Sequence, residues 1–278
     1  VGDCTRVQER AVANTEFQLE GDAVQLYEKH VVPTGPGPAA ERLLDKVLLK
    51  ASDRVLDAAC GTGIVARLIA ERYENVGGII GADLNDSMLD VARSLAPSTN
   101  FPVEWQQGDL CALPFPNSRF DVVLCNHGLQ FVPDKPACLE EIERVLVPGG
   151  RFAFTVWSAE PPYNVAMANS IRRHIGEDAA KSCLAPFSFR NGDTIRELLD
   201  DAGFQSIEMQ EVGFTRRTPA TASAVMDRAN RSPYARDIGA AGDQVREAIG
   251  REVCEAMQPY REGDEFAEPM SNHLGQAK

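Results

Sequence analysis

The sequence predicts an α/β protein with a doubly wound, mostly parallel sheet of seven strands and helical lid or cap additions. Three observations predict this fold. Residues Val55–Gly63, VLDAACGTG, join an apolar run to a carboxylate and two glycines, the pattern of a strand that turns sharply into a helix. Strand and helix patterns alternate from residue 53 to residue 157, as repeated βα units do. Asp121–Cys125 is apolar on both faces, which is typical of a buried parallel strand.

Two helices are predicted ahead of the sheet. Residues Glu16–His30 place apolar side chains near helical spacing. The stretch Val32–Pro38 then holds three prolines and two glycines, which we interpret as a turn. Residues Ala39–Lys50 carry leucines and a valine on one face, the pattern of a helix that packs against a core.

The strand and helix alternation begins at residue 53. The first five strands are predicted at Arg54–Ala58, Gly78–Asp83, Val103–Gln107, Asp121–Cys125 and Arg151–Trp157. The intervening helices are predicted at Ile64–Glu74, Asp86–Ala96 and Lys135–Val147. Asn85 or Asp86 suits the N-cap of the second helix, and Pro148-Gly-Gly150 stops the third. Units of this length imply parallel strands with right-handed crossovers.

Beyond Trp157 the alternation loosens. Two further strands, Phe204–Thr215 and Glu265–Ala277, complete the sheet, and the last has Phe266, Pro269 and Met270 as its apolar members. Helices are predicted at Val165–Ile175, at Asp193–Ala202 and over residues 219–259 with a break near Ser232 and Pro233. The helical parts at 1–50, 160–190 and 219–262 are candidates for a lid over a ligand crevice; packing decoration is the alternative for each.

Charge and cysteine usage narrow the class of partner. The formal net charge is −13, so the surface repels phosphate backbones and anionic lipids, and we expect neither a nucleic-acid nor a membrane partner. No apolar stretch approaches the ~18 residues of a membrane-spanning helix, and the N-terminus lacks a secretory pattern. The seven cysteines are scattered without a C-x-x-C motif, which predicts reduced thiols in a cytoplasmic protein and no metal site.

The loop after the first strand predicts a nucleoside cofactor. Gly61 and Gly63 let the backbone approach a ligand closely, and Asp57 places an acceptor-only charge at the carboxyl end of the strand. The spacing from Gly61 to Ala66 also satisfies the dinucleotide fingerprint, and Asp83 lies where that fingerprint has its ribose-binding acid. The loop by itself therefore leaves two kinds of cofactor open.

Motifs further along the chain separate these two possibilities. They are Gly81–Met88 (GADLNDSM), Gly108–Phe115 (GDLCALPF), Ser118–Cys125 (SRFDVVLC), Gly128–Asp134 (GLQFVPD) and Leu146–Arg151 (LVPGGR). In this order after Val55–Gly63 they resemble the class I S-adenosylmethionine-dependent methyltransferases, and most nearly the branch similar to ubiquinone/menaquinone-biosynthesis C-methyltransferases. The resemblance covers about residues 50–157. The charge of Asp57 agrees with it, because a carboxylate repels a pyrophosphate and pairs with the α-amino group of a methionine moiety.

The resemblance implies a role for each residue at the strand ends. Asp57, Gly61 and Gly63 would lie along the methionine portion of S-adenosylmethionine, and Asp83 would accept from both ribose hydroxyls. The adenine would be bound by Leu84, Met88, Asp109 and the Leu110 backbone N–H. Further expected cofactor contacts are Ala58, Gly108, Asn126, His127 and, as an aromatic cap over the sulfonium, Tyr27. Leu84, Met88 and Leu110 could equally be plain core, and Asp109 could only open a turn.

Methyl transfer needs chiefly alignment of the two reactants in a dry pocket, so a general base is optional. His127 at the end of a central strand and His30 beside Tyr27 are the candidate bases. The alternative for His127 is that only its backbone contacts the cofactor. Aromatic candidates for an acceptor pocket are Trp157 and, more weakly, Phe131, Tyr163, Phe187 and Phe189.

The resemblance predicts one compact domain in three parts. These are an N-terminal helical lid segment at 1–50, an S-adenosylmethionine-binding Rossmann-like core at 51–160, and a C-terminal part at 161–278 that completes the sheet and carries substrate-cap insertions. The predicted activity is methyl transfer to a small-molecule acceptor by a monomer or homodimer, with S-adenosylhomocysteine as product. Two alternatives stay open: a fold that binds S-adenosylmethionine without transferring its methyl group, and an NAD(P)-dependent oxidoreductase.

Overall fold

A computed structural model describes residues 19–232 and 234–278 of the chain. One mostly parallel sheet is at its centre, with the strand order β3-β2-β1-β4-β5-β8-β6. These strands are β1 (Arg54–Ala58), β2 (Gly78–Asp83), β3 (Val103–Gln107), β4 (Phe120–Asn126), β5 (Leu146–Trp157), β6 (Glu208–Pro219) and β8 (Glu265–Ala277), and a short β7 (Arg261–Glu262) pairs with β8. Strands β1 to β5 are parallel, whereas β8 is antiparallel to both of its neighbours. The predicted fold class is therefore confirmed.

The helices keep the predicted order, and Glu177–Leu184 is an additional helix that was not predicted. They are α1 (Asp22–His30), α2 (Pro36–Lys46), α3 (Ile64–Arg72), α4 (Asp86–Ser94), α5 (Lys135–Val145), α6 (Pro162–His174), α7 (Glu177–Leu184), α8 (Gly192–Asp201), α9 (Ala222–Ala229), α10 (Ala235–Ala240) and α11 (Asp243–Ala256). Within the described residues, none of them is long and apolar enough to cross a membrane.

Both faces of the sheet are covered by helices, as a doubly wound fold requires. On one face Leu43 and Leu44 of α2 and Ile69 of α3 pack against Val55 and Leu124. On the other face a second cluster joins β1, β4 and β5 to α5 and α8, with Leu56, Val123, Phe154, Ile142 and Leu199 among its members. Alternate residues along each strand thus face opposite helix layers.

A third apolar cluster lies beyond the carboxyl end of the sheet. It joins α6, α7, α9, α10 and α11 through residues such as Met167, Ile171, Val225, Ile249 and Val253. These helices form a cap with a core of its own, and Phe266 of β8 belongs to that core. The division of the chain at residues 50 and 160 stays a prediction.

Strands β6 and β8 are longer than the sheet they complete. Strand β5 pairs with β8 from Asn272 to Ala277, whereas β6 pairs with β8 from Glu265 to Gln276. Residues Gly213–Pro219 and Glu265–Ser271 therefore continue as a two-stranded extension, which we call the outer ribbon. The outer ribbon supplies Arg216 and Glu268 to the site described below.

Some predicted boundaries were wrong. Helix α2 begins at Pro36 inside the predicted turn, because proline is well tolerated in the first turn of a helix. Helix α5 ends at Val145, ahead of Pro148-Gly-Gly150, and these three residues lie within β5 where its pairing with β4 is irregular. Strand β5 thus begins at Leu146, five residues earlier than predicted, and β6 begins at Glu208, four residues later than predicted. Pro269, predicted as an apolar member of β8, is exposed. The first residues of the predicted Glu16–His30 helix lie outside the described residues.

Candidate functional site

The carboxyl ends of β1, β2 and β4 meet at one edge of the sheet. Strand β1 lies between β2 and β4, so the chain order reverses there, and open α/β sheets bind ligands at such a switch point. A cavity of about 130 Å³ opens at this edge, which we call the strand-end cavity. Ten of the predicted cofactor residues line it: Tyr27, Asp57, Gly61, Asp83, Leu84, Met88, Asp109, Leu110, Asn126 and His127.

The loop between β1 and α3 has left-handed backbone at Ala59, Gly61 and Gly63. A Cβ added at Gly61 would meet no atom within 4 Å, so this glycine leaves the cavity open. A Cβ at Gly63 would lie 2.5 Å from the Trp105 ring. Gly63 therefore lets helix α3 pack closely against β3, and it does not itself line the cavity.

Asp57 is a buried acidic residue. Its side chain lines the strand-end cavity, with 1% of the residue exposed, and within the described residues neither carboxylate oxygen has a hydrogen-bond partner. Burial, and then the charge of Asp83, raises the pKa of Asp57 to about 8; the Ala66 amide opposes this rise without meeting hydrogen-bond geometry. A buried acceptor of this kind favours a ligand that brings a cationic donor.

Asp83 ends β2 and is held by backbone donors. Its Oδ2 accepts from the Gly61 N–H at 2.8 Å, and its Oδ1 accepts from the Asn85 N–H at 2.9 Å. Burial raises the pKa of this carboxyl group. Each oxygen keeps a second lone pair, so the carboxylate can still accept from two donors of a ligand.

The residues that follow β3 form one wall of the strand-end cavity. Asp109 Oδ1 accepts from the Cys111 N–H at 2.9 Å, so Asp109 does close a turn while it lines the cavity. Leu110 and Met88 are buried beside it, and Leu84 is exposed. Ala58 and Gly108, both predicted as cofactor contacts, do not line the cavity; a Cβ at Gly108 would meet the Pro114 ring.

His127 follows β4 with a left-handed backbone, an uncommon conformation for a residue with a side chain. Its N–H donates to the Thr155 carbonyl at 3.0 Å, and its ring lies against Trp157 with 4.3 Å between centroids. The Gln130 side chain lies 3.4 Å from Nδ1, and the buried Nε2 has no partner in the described part of the chain. Burial, and then the charge of Arg216, lowers the pKa of His127 to about 3, so the imidazole is neutral.

A second cavity of about 440 Å³ lies under the cap, and we call it the cap cavity. Trp157, Phe131 and Phe187, predicted as pocket aromatics, line it. Its volume falls in the range of small-molecule sites, and its lining is aromatic with a few polar groups, as in such sites. His30 also lines this cavity, and burial together with Arg231 lowers the pKa of its imidazole.

The two cavities share part of their walls. Tyr27, Pro36, His127 and Phe131 line both. Helix α1, which carries Tyr27, is held against α3 by the Glu28–Arg67 ion pair at 2.6 Å and against α4 by Val24 packing on Met88. The two cavities are therefore adjacent, and His127 belongs to the wall that they share.

Other predicted residues lie elsewhere. Tyr163 is buried in the cap core with the Arg228 guanidinium 3.6 Å from its ring centroid, and Phe189 lies under Lys135. His174 contacts Glu252 at 2.8 Å, and His273 contacts the Arg190 carbonyl at 2.9 Å. Both histidines thus have structural partners away from the cavities.

The residues that the sequence reasoning missed are Arg216 and Glu268 of the outer ribbon. Arg216 lines the cap cavity, and Glu268 is fully buried behind it. The alternation of residues along the two strands could have revealed them. Phe214, Arg216 and Thr218 lie on one face of β6. Phe266, Glu268 and Met270 lie on one face of β8. A charged residue at an inward position of a strand points to a partner or a ligand.

Comparison with known proteins identifies relatives of the chain. A family profile described as "Methyltransferase domain" matches residues 56–154. The chain is similar to the 2-phytyl-1,4-naphtoquinone methyltransferase of Synechococcus elongatus, with 33% identity over 178 residues, 59% of this chain and 76% of that protein. It is also similar to the demethylmenaquinone methyltransferase of Lactococcus lactis, with 34% identity over 172 residues, 57% of this chain and 68% of that protein.

The fold is also found among solved structures. The phosphoethanolamine N-methyltransferase 2 of Haemonchus contortus, in complex with phosphomonomethylethanolamine and S-adenosylhomocysteine, has a TM-score of 0.53 and 20% identity, covering 87% of this chain and 52% of that one. At this identity the likeness concerns the fold. The resemblance predicted from the motifs is confirmed, and neither alternative, binding without methyl transfer or nicotinamide chemistry, is favoured.

Proposed function

The chain belongs to the class I S-adenosylmethionine-dependent methyltransferases that act on small molecules, and we propose that the strand-end cavity holds the methyl donor while the cap cavity holds an aromatic, largely apolar acceptor. The observation that carries this proposal is the shared wall. Two cavities of different character meet at Tyr27, Pro36, His127 and Phe131, as a transfer between two bound molecules requires.

The residues of the strand-end cavity fit the donor. Asp57 would pair with the α-ammonium group, because no group in the described part of the chain hydrogen-bonds to either of its buried oxygens. Asp83 would accept from the ribose hydroxyls with the lone pairs that Gly61 and Asn85 leave free. Leu84, Met88, Asp109 and Leu110 would surround the adenine. When bound, S-adenosylmethionine supplies a methyl group on a positively charged sulfur; the chain has to align the acceptor and exclude water.

The cap cavity supports an aromatic acceptor. The Trp157 ring contacts the His127 and Phe187 rings in tilted arrangements, with 4.3 and 5.4 Å between centroids, and the three rings offer an extended apolar wall. Aromatic faces of this kind bind planar rings through offset or edge contacts. The relatives named for menaquinone and naphtoquinone methylation act on fused rings, which agrees with such an occupant.

His127 would orient the acceptor. With Gln130 donating to Nδ1, the proton of the neutral ring is on Nε2, which is then free to donate to an oxygen of the acceptor. A neutral imidazole with a pKa of about 3 is a weak base, so we propose positioning as its task and not proton removal. His30 would contact the acceptor from the other side of the cap cavity.

The experiment combines product detection with a cavity variant. The protein is incubated with S-adenosylmethionine carrying a deuterated methyl group and a panel of hydroxylated naphthalenes, and mass spectrometry detects the labelled product. We expect Trp157→Ala to raise the acceptor KM about tenfold or more and to leave the affinity for S-adenosylhomocysteine unchanged, since Trp157 lines only the cap cavity.

The matched control is Phe214→Ala. Phe214 lies behind Trp157, with 6.4 Å between ring centroids, and lines neither cavity. It should change the acceptor KM much less than Trp157→Ala does. An unchanged acceptor KM in Trp157→Ala would contradict the assignment of the cap cavity.

We also propose a cytoplasmic location and a monomeric or homodimeric state. The six cysteines in the described part of the chain are all free, which agrees with a reducing compartment. Light scattering of the purified protein measures the assembly state directly, and a mass above that of a dimer would contradict the second statement.

A further inference from the structure

The inner wall of the cap cavity contains more positive than negative charge. Arg216 and Arg228 both line the cavity, and Glu268 is the buried carboxylate nearest to them. Arg228 Nη1 donates to Glu268 Oε2 at 2.6 Å, and the other oxygen accepts from the Tyr163 N–H at 2.9 Å. Each oxygen of Glu268 therefore already accepts one hydrogen bond.

Arg216 is too far from the Glu268 carboxylate to hydrogen-bond to it. Its Nη1 lies 4.0 Å from Glu268 Oε2, beyond hydrogen-bond distance. Arg216 Nε donates to the Thr34 carbonyl at 2.9 Å, and within the described residues this is the hydrogen bond that the Arg216 side chain makes. A guanidinium has five N–H donors. Most of those of Arg216 therefore have no protein acceptor within the described residues, although its side chain is only 9% exposed.

Arg216 faces the cap cavity, and the other charged residues in the described lining, apart from Arg228, add no net charge. Gly35 lies beside the Arg216 guanidinium. A Cβ at this position would lie 2.9 Å from Arg216 Nη2 and 3.8 Å from the Trp157 ring, so a side chain here would crowd Arg216. Asp227 and Arg231 also line the cavity, and both are exposed and of opposite sign. These two residues therefore add no net charge, and the inner wall keeps one uncompensated cation. Burial, and then the charge of Arg228, lowers the pKa of Arg216 to about 9, as expected for a buried cation with too little compensation.

We propose that the acceptor is an aromatic carboxylate whose ring lies against Trp157 and whose carboxylate is bound by the free N–H groups of Arg216. This inference rests on the proposed function, because it assigns the acceptor to the cap cavity. A planar guanidinium matches the two oxygens of a carboxylate, which makes this pairing specific as well as strong. The acceptor then supplies the negative charge that the inner wall lacks.

The test uses pairs of probes that differ in charge and hardly in shape. Benzoate, 2-naphthoate and biphenyl-4-carboxylate are each compared with the corresponding neutral amide. Binding is measured by calorimetry on protein saturated with S-adenosylhomocysteine. For the ring size that binds best, we expect the carboxylate to bind about tenfold or more tightly than its amide.

Arg216→Met should abolish this preference, so that carboxylate and amide bind equally. The matched control is Arg217→Met, because Arg217 is the next residue, half exposed, and pairs with Glu262 and Glu265 outside the cavity. That variant should keep the preference. Arg216→Lys keeps the charge without the planar fork, is the variant of choice if Arg216→Met fails to fold, and should reduce the preference without abolishing it.

The possible outcomes separate the two proposals. If carboxylates and amides bind equally to the wild type, or if the preference survives in Arg216→Met, the carboxylate assignment is overturned and the aromatic acceptor site stands. If S-adenosylhomocysteine binds but no aromatic probe of either charge does, the acceptor site in the cap cavity fails, and this inference fails with it.

Discussion

Binding of the methyl donor should release a proton from the buried Asp57 carboxyl group. With a pKa of about 8, Asp57 is about 90% protonated at pH 7 in the free protein. A ligand ammonium group beside it favours the ionised form and lowers that pKa. S-adenosylhomocysteine carries the same ammonium group as the donor, so its binding at pH 7 should release ~0.9 proton per molecule bound. Its association constant should rise about tenfold per pH unit up to about pH 8 and then level off.

The assay is calorimetry in two buffers with different ionisation enthalpies, such as phosphate and Tris, at pH 7. The difference between the two observed enthalpies gives the number of protons released. Asp57→Asn should bind with almost no proton release and with a flat pH dependence. Asp109→Asn is the matched control, because Asp109 lines the same cavity and is exposed. Equal proton release by the wild type and Asp57→Asn would refute the reasoning.

The same carboxyl group should make the ligand-free protein more stable at low pH. Its pKa in the folded state is about 8, against 3.8 as the ordinary value, so the folded state holds the proton more tightly than the unfolded chain does. This contribution is complete below about pH 4 and is lost as the pH rises to about 8. Over the three units from pH 5 to pH 8 it amounts to ~4 kcal/mol at about 1.4 kcal/mol per unit. Urea unfolding should therefore show the advantage of Asp57→Asn over the wild type growing by about that amount across this range.

Three further predictions concern single residues of the site. Asp83→Ala should weaken S-adenosylhomocysteine binding about tenfold or more by calorimetry, because two backbone donors and the ligand lose their acceptor; unchanged affinity would contradict the ribose assignment. Gly63→Ala should lower the free energy of unfolding by about 1–3 kcal/mol more than Gly61→Ala, because only the former drives a methyl group into Trp105; equal losses in urea unfolding would count against this packing role. His127→Gln should lower kcat/KM about tenfold with unchanged S-adenosylhomocysteine affinity and an unchanged pH profile above pH 5, since the imidazole is already neutral there; loss of a limb near pH 6.5 in the variant would mean that His127 titrates in the reaction.

The strand-end cavity could be predicted from the sequence because its parts are local. Asp57, Gly61 and Asp83 each end a strand or form the turn after it, and parallel strands bring their carboxyl ends to one edge. The packing role of Gly63 could not be predicted in the same way. It depends on Trp105, which is more than forty residues away in the chain and belongs to the second strand over in the sheet.

The cap cavity could be predicted only in outline. Aromatic residues such as Trp157 and Phe187 indicate a pocket, but Tyr163 has the same character and lies in the cap core. The strand register decides whether Arg216 or Arg217 faces inward, because a shift of one residue moves each side chain to the opposite face of the sheet. Strand β6 was predicted to begin four residues too early, and it pairs with a strand some fifty residues later, so the register could not be fixed from local patterns.

The outer ribbon has a consequence for engineering and for divergence of the enzyme. Gly213–Pro219 and Glu265–Ser271 hydrogen-bond to each other and lie beyond the part of β8 that pairs with β5. A recombinant that exchanges these two segments as a unit would alter which acceptor is recognised and would leave the donor machinery on β1, β2 and β4 untouched. Exchange of one segment alone would part Arg216 from Glu268, so the two should be inherited together. Under the proposed assignment, the charged residues that recognise the acceptor's carboxylate are therefore encoded by two short stretches that are far apart in the gene and adjacent in space.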